Sequence, residues 1–283
     1  MAKTNKGKNN KKNVFLQNKT FTIFSVLGIL VVLVAIFAPV ITGGVDPTTG
    51  SLTEALQAPS SEHIFGTDKL GRDVFTRVIY GAQTSLIAAF SVVIIAFVVG
   101  TVAGVLAGYF GKAVDAIIMR IADMFIAFPG MILAIAVAGI LGASIHNAIL
   151  AVGLVTWPKY ARLARSLVLK IRDRDYVAAA IVTGSKTPRM LIKYMLPSAL
   201  TTLVITAAMD IGSMMLELAG LSFLGFGAVP PTPEWGLMLS EGRAYMTSAP
   251  WLMIFPGLAI FIVVVIFNML GDSLRDILDP RTE

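Results

Sequence analysis

Acidic side chains interrupt one of the most apolar stretches of this 283-residue sequence. Asp210 and Glu217 lie seven residues apart, so a helix would place both on nearly the same face. Charges at membrane depth are costly and usually face a cavity or a partner group. The pair therefore has two interpretations. It forms an acidic wall for a cationic group in a pathway, or it makes hydrogen bonds at an interface with a second membrane subunit.

The sequence offers few other residues for covalent or metal chemistry. It has no Cys and only 2 His, which excludes thiolate sites and leaves too few ligands for a transition-metal cage. The nearest approach to a phosphate-binding loop is Gly-Ser-Lys-Thr at 184–187, where a Ser separates Gly from Lys. We therefore expect no catalytic residue, no metal site and no cofactor in this chain, and we predict that it is not an enzyme.

Composition shows which elements must position the acidic pair. Hydrophobic residues make up 56% of the chain and charged residues 14%, against about 25% charged in an average soluble domain. An integral membrane protein is predicted, and its apolar runs of about 20 residues predict an all-α membrane protein of spanning helices. Six spans are expected. The predicted apolar runs are 21–41, 84–110, two spans around 123–159 that meet near 142–147, 199–223, and 248–270, the last ended by Gly271 and Asp272.

The distribution of Lys and Arg sets the predicted orientation. With the N-terminus inside, the cytosolic segments hold nineteen of the 23 basic residues, so both termini are expected in the cytosol. A nucleic-acid partner is not needed to explain the positive charge. The predicted segments are a basic cytosolic tail at 1–20, a first span at 21–41, an extracytoplasmic segment at 42–83, a five-helix core at 84–270 with a cytosolic loop at 158–198, and a cytosolic tail at 271–283.

Small residues and one proline shape the predicted spans. Gly100, Gly104 and Gly108 are spaced four residues apart, which permits close packing against another helix. Pro129 lies within the third predicted span, where it would kink the helix. Either a widened pathway or static packing would explain these positions.

The cytosolic loop is the most informative segment. Val177–Thr183 predicts a short helix of small apolar residues ended by Gly184, and Pro188–Met195 predicts a second one. An apolar helix flanked by charges requires a covering surface, which is either a groove on another protein or the underside of its own bundle.

The loop resembles the coupling-helix motif of ABC-type import permeases. The family pattern is Glu-Ala-Ala, three residues, Gly, nine residues, then Ile-x-Leu-Pro, and the spacing matches throughout. Ala178 stands where the family usually has Glu, and Tyr194 where it often has Ile. The resemblance implies that this element contacts an ATPase through Tyr176, Ala178, Ala179, Ala180, Gly184, Leu196 and Pro197.

Four further segments, at 63–75, 221–227, 230–236 and 268–280, resemble the peptide/nickel branch of these permeases. The resemblance implies a type I ABC importer membrane domain in a bacterial plasma membrane, carrying short peptides, nickel or metal chelates. It also implies a sister permease in a heterodimer, two ATPase subunits that bind ATP and Mg²⁺, an extracytoplasmic substrate-binding protein, and contact with lipid. The alternative is an ion-coupled secondary transporter with Asp210 as its coupling site. Inverted repeats would support that class, and none is visible.

Overall fold

The fold is helical. A computed structural model describes residues 18–278, and within that range there is no β-strand, only an isolated bridge between Thr67 and Asp73. The helices are α1 (Lys19–Ile36), α2 (Ala38–Ile41), α3 (Val74–Phe110), α4 (Lys112–Ile126), α5 (Gly130–Leu141), α6 (Ile145–Arg172), α7 (Asp175–Val182), α8 (Thr187–Met190), α9 (Leu196–Phe223), α10 (Trp235–Gly242) and α11 (Trp251–Leu278).

The described chain divides into two compact units. The first comprises 18–90, 142–148 and 208–278, and the second comprises 91–141 and 149–207. Most of the predicted basic tail at 1–20, as well as 279–283 of the predicted C-terminal tail, lies outside the described residues.

In the first unit, α1 packs along α11. Asn18 begins α1 as an N-cap, and its Oδ1 accepts a hydrogen bond from the N–H of Phe21 at 3.0 Å. The helix ends at Ile36, earlier than the predicted Ile41, because Pro39 lacks an N–H and its ring crowds the carbonyl four residues back. A separate short helix, α2, covers the remainder of the predicted span.

Two other helices in this unit differ from their predicted bounds. Helix α3 begins at Val74 instead of residue 84, and Asp73 Oδ2 accepts from the N–H of Thr76 at 2.7 Å. Helix α11 continues through Gly271 to Leu278, so the predicted end at Gly271 was wrong. A Cβ at Gly271 would lie 2.6 Å from Cγ of Met209, so this glycine permits close packing rather than ending the helix.

In the second unit, the predicted glycine stripe of α3 lies against α6. A Cβ at Gly100 would lie 2.5 Å from Cβ of Tyr160, and a Cβ at Gly108 would lie 2.8 Å from Cβ of Val168. Only glycine allows the two backbones to approach this closely. The prediction of close packing from the glycine spacing is confirmed.

Enlarging the middle glycine of this stripe should destabilise the chain. In Gly104→Val, the new Cβ would lie 2.7 Å from Cβ of Ala164 and against the carbonyl of Ala161, so we expect a loss of about 1–3 kcal/mol. Gly28→Ala in α1 is the control, because its Cβ would meet nothing closer than 3.7 Å. Apparent melting temperatures of the purified proteins in detergent measure the difference. Equal values for the two variants would contradict the packing role.

Helices α4 and α5 form a bent pair. They meet at an angle of 91° across the break at 127–129, which contains the predicted kink at Pro129. Helix α4 is held to α6 by ion pairs: Arg165 Nε donates to Asp115 Oδ1 at 2.5 Å, and Arg162 Nη2 donates to Asp123 Oδ1 at 2.5 Å.

Within the described residues, the helices long and apolar enough to cross a membrane are Lys19–Ile36, Val74–Phe110, Ala199–Phe223 and Trp251–Leu278. The bent pair raises their number from four to five if it is one span. Helix α6 carries Lys159, Arg162 and Arg165 along its second half, which lowers its hydropathy. The all-α membrane class is therefore confirmed, whereas the count of six spans remains a prediction.

Candidate functional site

The segment between α6 and α9 forms a compact helical element in the second unit. Helix α7 ends at Val182, and Gly184 follows with φ +79°, a conformation that glycine adopts without steric cost. Helix α8 then leads into a π-helical turn at Leu191–Met195, where Leu196 N–H donates to Leu191 O. The chain runs on into α9 without a break. The predicted short helices and the role of Gly184 as a helix terminator are confirmed.

One face of this element is anchored in an apolar cluster. Val177 and Ala180 of α7, together with Met190 and Met195, are buried. They pack with side chains of α6 and α3, among them Tyr160, Ala164, Val168 and Val105. The anchoring fixes the orientation of α7, because residues three apart share one face of a helix.

The opposite face is exposed and apolar. Ala178 and Ala179 are exposed, and Val182 and Ile192 are 86% and 68% exposed. Tyr176 is exposed as well, and its ring lies over that of Tyr194, with centroids 6.5 Å apart. Exposed apolar side chains on a helix anchored by its other face are typical of a protein-binding site.

The structure thus divides the predicted coupling residues into two groups. Tyr176, Ala178, Ala179, Gly184 and Pro197 are exposed, while Ala180 is buried and Leu196 is half-buried. Ala180 therefore belongs to the anchor and not to the exposed surface. Ala178, where the family pattern has Glu, lies on the exposed side of α7.

Asp210 and Glu217 lie on α9 in the first unit. Asp210 is buried, at 5% exposure, and Glu217 is half-buried. Two residues further on from Asp210, Gly212 lies close to α11, since a Cβ there would be 2.7 Å from Oδ1 of Asn268. Both interpretations of the acidic pair, a cargo-facing wall and interfacial hydrogen bonds, remain predictions.

A buried charge network in the first unit was missed by sequence reasoning. Arg72 and Arg77 are each 1% exposed. Arg72 Nε donates to Asp68 Oδ2 at 2.6 Å, and Nη2 of both arginines lies 3.2 Å from Oε2 of Glu241 on α10. Arg77 Nη1 also donates to the carbonyl of Pro47 at 2.9 Å. The network ties the segment before α3 to α10 across more than 160 residues of sequence.

A second polar centre surrounds Glu234, the N-cap of α10. Its carboxylate accepts from the N–H groups of Gly236 and Leu237 at 2.9 and 2.8 Å and from Ser85 Oγ at 3.3 Å. Burial raises the pKa of Glu234 above its usual value, because it disfavours the charged form, and these hydrogen bonds offset only part of that effect. Trp235 extends the contact by donating from Nε1 to Val78 O at 2.9 Å.

The raised pKa predicts a pH-dependent stability. The contribution of Glu234 to the free energy of unfolding is fully present below its unfolded-state pKa of 4.5. It is lost as the pH rises through the raised folded-state pKa. We expect the advantage of the wild-type protein over Glu234→Gln in apparent melting temperature to shrink as the pH is raised from 4.5 through the neutral range. A constant difference across that range would mean that Glu234 does not titrate with a raised pKa.

Among the described residues, no group of three or more His, Asp or Glu side chains is arranged to hold a metal ion. His63 Nδ1 lies 3.1 Å from Asp73 Oδ1 and its Nε2 lies 4.0 Å from Glu54 Oε2. His146 is exposed at the start of α6.

Helices of membrane-spanning length, together with an anchored helical element that presents an apolar face, are typical of a membrane protein that binds a partner. The model of the family described as "binding-protein-dependent transport system inner membrane component" matches residues 100–283, and the chain belongs to this family. The family predicted from the loop motif is therefore confirmed.

Curated relatives are similar along most of the chain. The dipeptide transport system permease protein DppC of Alkalihalophilus pseudofirmus is 44% identical over 91% of this chain and 86% of its own length. The nickel transport system permease protein NikC of Escherichia coli is 42% identical over 83% of this chain and 85% of its own length. These similarities confirm the peptide/nickel branch of ABC permeases.

A solved structure confirms the type of fold. A chain of the inward-facing MetNI methionine ABC transporter matches with a TM-score of 0.57 and 21% identity, over 71% of this chain and 96% of that chain. At this identity the match concerns the fold alone.

Proposed function

We propose that this chain is the permease subunit of an ATP-driven importer and forms half of a translocation pathway for short peptides or for nickel and metal chelates. Two separate ATPase subunits would bind ATP and Mg²⁺, so this chain would hold neither. A sister permease would complete the pathway as a heterodimer, and an extracytoplasmic binding protein would deliver the cargo. The family description and the names of the dipeptide and nickel relatives support this assignment.

The proposed setting is the bacterial inner membrane, with six spans and both termini in the cytosol, as in a type I ABC importer. The four apolar helices and the bent pair supply five spans, and the first half of α6 supplies the sixth. The positive residues of its second half and of the following loop then lie on the cytosolic side. The segment at 42–83 lies outside the cell, and the core at 84–270 carries the coupling loop 158–198.

The observation that carries the proposal is the two-sided character of α7. Its inner face is fixed to α6 through Val177 and Ala180, while Ala178 and Ala179 on the outer face are exposed. Small side chains permit close approach by the surface of a partner, so a displacement of the ATPase would be passed to α6 and α9 through the anchor. The motion is a rocking of helices, and no covalent chemistry takes place in this chain.

Uptake in cells tests the proposal directly. Cells lacking the gene are compared with cells carrying it, using labelled dipeptide and labelled nickel side by side, and the tagged chain is purified from the complemented cells. We expect loss of one uptake activity on deletion and co-purification of an ATPase subunit with the chain. Unchanged uptake of both labels, together with purification of the chain without an ATPase, would overturn the proposal.

The cargo-facing interpretation of Asp210 has its own test. In Asp210→Asn, the cargo concentration that gives half-maximal uptake (the apparent transport constant) should rise by about tenfold for a cationic cargo. This is equivalent to about 1.4 kcal/mol of lost attraction. Asp272→Asn, at an exposed acid of α11, is the matched control and should leave the constant unchanged. A reduced amount of assembled complex with an unchanged transport constant would instead support interfacial hydrogen bonding.

A further inference from the structure

A small cavity lies beside the buried charge network of the first unit. Its lining includes Asp68, Lys69, Arg72, Arg77 and Glu241, and the cavity volume is about 20 Å³. A space of that size holds one water molecule or one ion only slightly larger. The cavity lies outside the coupling element and contains neither Asp210 nor Glu217.

Arg72, one of the residues that line this cavity, has a side-chain nitrogen without an acceptor. Arg72 Nε is paired with Asp68, and Nη2 lies within 3.4 Å of both Glu241 oxygens, but Nη1 is buried without a hydrogen-bond partner among the described residues. A buried charged donor left unsatisfied is costly, and such groups are normally met by a bound water or ion.

The charge around the cavity favours an anion as that partner. The lining carries three cationic side chains, Lys69, Arg72 and Arg77, against two carboxylates. Both carboxylates are already engaged: Asp68 accepts from Arg72, and Glu241 lies within 3.3 Å of nitrogen atoms of all three cations. One positive charge therefore remains in excess. Arg72 and Arg77 are each 1% exposed, whereas the Lys69 side chain is 37% exposed and is partly compensated by water. Burying such a charge is unfavourable unless it is paired.

We propose that this cavity binds a single monovalent anion of chloride size, which accepts a hydrogen bond from Arg72 Nη1. The bound anion neutralises the remaining charge and thereby strengthens the link between the segment before α3 and α10. The site takes neither a cation, because of its positive balance, nor an anion as large as gluconate, because of its volume. It is independent of the proposed transport function.

The dependence of thermal stability on chloride concentration, measured on the full chain, tests the site. The purified protein is heated at constant ionic strength while chloride replaces gluconate, and apparent melting temperature is recorded. We expect a saturable increase with chloride or bromide and none with acetate, which is larger. A structure obtained in bromide should show an anomalous peak at hydrogen-bond distance from Arg72 Nη1. A melting temperature independent of chloride, together with a cavity occupied only by water, would overturn the proposal.

Two variants of one ion pair separate anion binding from a merely structural role. Lys69→Met removes one positive charge and should weaken the apparent chloride affinity by about fivefold, since its charge is partly screened by water. Glu241→Gln removes a negative charge and should tighten chloride binding, although the variant is less stable in gluconate. If both variants lower stability and leave the chloride dependence unchanged, the network has no anion site.

Discussion

Replacing Ala179 by Asp should abolish uptake while the chain still inserts into the membrane at its normal level. Ala179 is exposed on α7, so the new carboxylate remains in water and should change the stability of the chain by no more than about 0.5 kcal/mol. In the assembled importer, however, the same position would be covered by the ATPase, where an unpaired charge is strongly disfavoured. Cargo uptake and the amount of chain in membrane fractions are the two measurements.

Ala178→Glu is the matched control for this prediction. It introduces the same negative charge one residue earlier on the exposed surface, at the position where the family pattern has Glu. We expect this variant to retain uptake and to bind the ATPase at least as well as the wild-type chain. Undiminished uptake in Ala179→Asp, with the ATPase still bound, would exclude this surface as the coupling contact.

Replacing Arg77 by Met should produce the largest loss of stability among these variants. Arg77 is almost fully buried and donates to Pro47 O at 2.9 Å, to Pro231 O at 3.2 Å and to Glu241 Oε2 at 3.2 Å. Its removal leaves the carbonyl oxygens of Pro47 and Pro231 without this donor and takes one of three cations from Glu241, in a site largely shielded from water. Breaking a buried ion pair in this way costs about 3–5 kcal/mol. The apparent melting temperature of the purified chain measures it.

Lys69→Met is the matched control in chloride-free buffer. Lys69 Nζ lies 3.3 Å from the same carboxylate of Glu241, but its side chain is 37% exposed. An ion pair open to solvent contributes about 0–1 kcal/mol, so this variant should melt close to the wild-type protein. Equal losses in the two variants would show that burial does not decide the strength of this network.

The two largest predicted effects concern different properties of the molecule. The change at Ala179 acts on an exposed surface and should be visible only when the partner is present. The change at Arg77 acts on a buried network and should be visible in the isolated chain. Measuring both uptake and melting temperature for both variants therefore distinguishes a lost contact with a partner from a lost contact within the fold.

Local properties of the chain could be predicted without a structure. The apolar runs indicated where long helices lie, because burying a backbone in lipid requires about 20 consecutive apolar residues. The glycine spacing at 100–108 indicated a close helix contact, and Gly184 indicated the end of α7. Each inference depended on residues within one helix or one turn, for which spacing and side-chain type carry sufficient information.

Helix ends were predicted less well where a tertiary contact decides them. Gly271 and Asp272 are typical of a helix terminus, but α11 continues to Leu278 because Gly271 meets Met209 of another helix. At Val74, α3 begins inside a polar stretch that the hydropathy of the sequence assigned to the preceding loop. At Gly271 packing against a distant segment outweighs the local preference, whereas at Val74 the helix begins at a local cap, Asp73, which accepts from the N–H of Thr76.

The charge network shows most clearly what only the tertiary structure decides. Arg72 and Glu241 lie 169 residues apart, and each occurs in a segment whose charges would ordinarily be solvated. Nothing in their local spacing indicates that they meet. Their burial follows from the packing of the segment before α3 against α10. Charged residues that pair across such a distance in the sequence follow no periodic pattern, so the sequence alone does not reveal the pairing. The apolar spans and the short helices of the coupling loop are set by local pattern, whereas the buried ion pairs and the cavity beside Arg72 arise only when distant segments pack together.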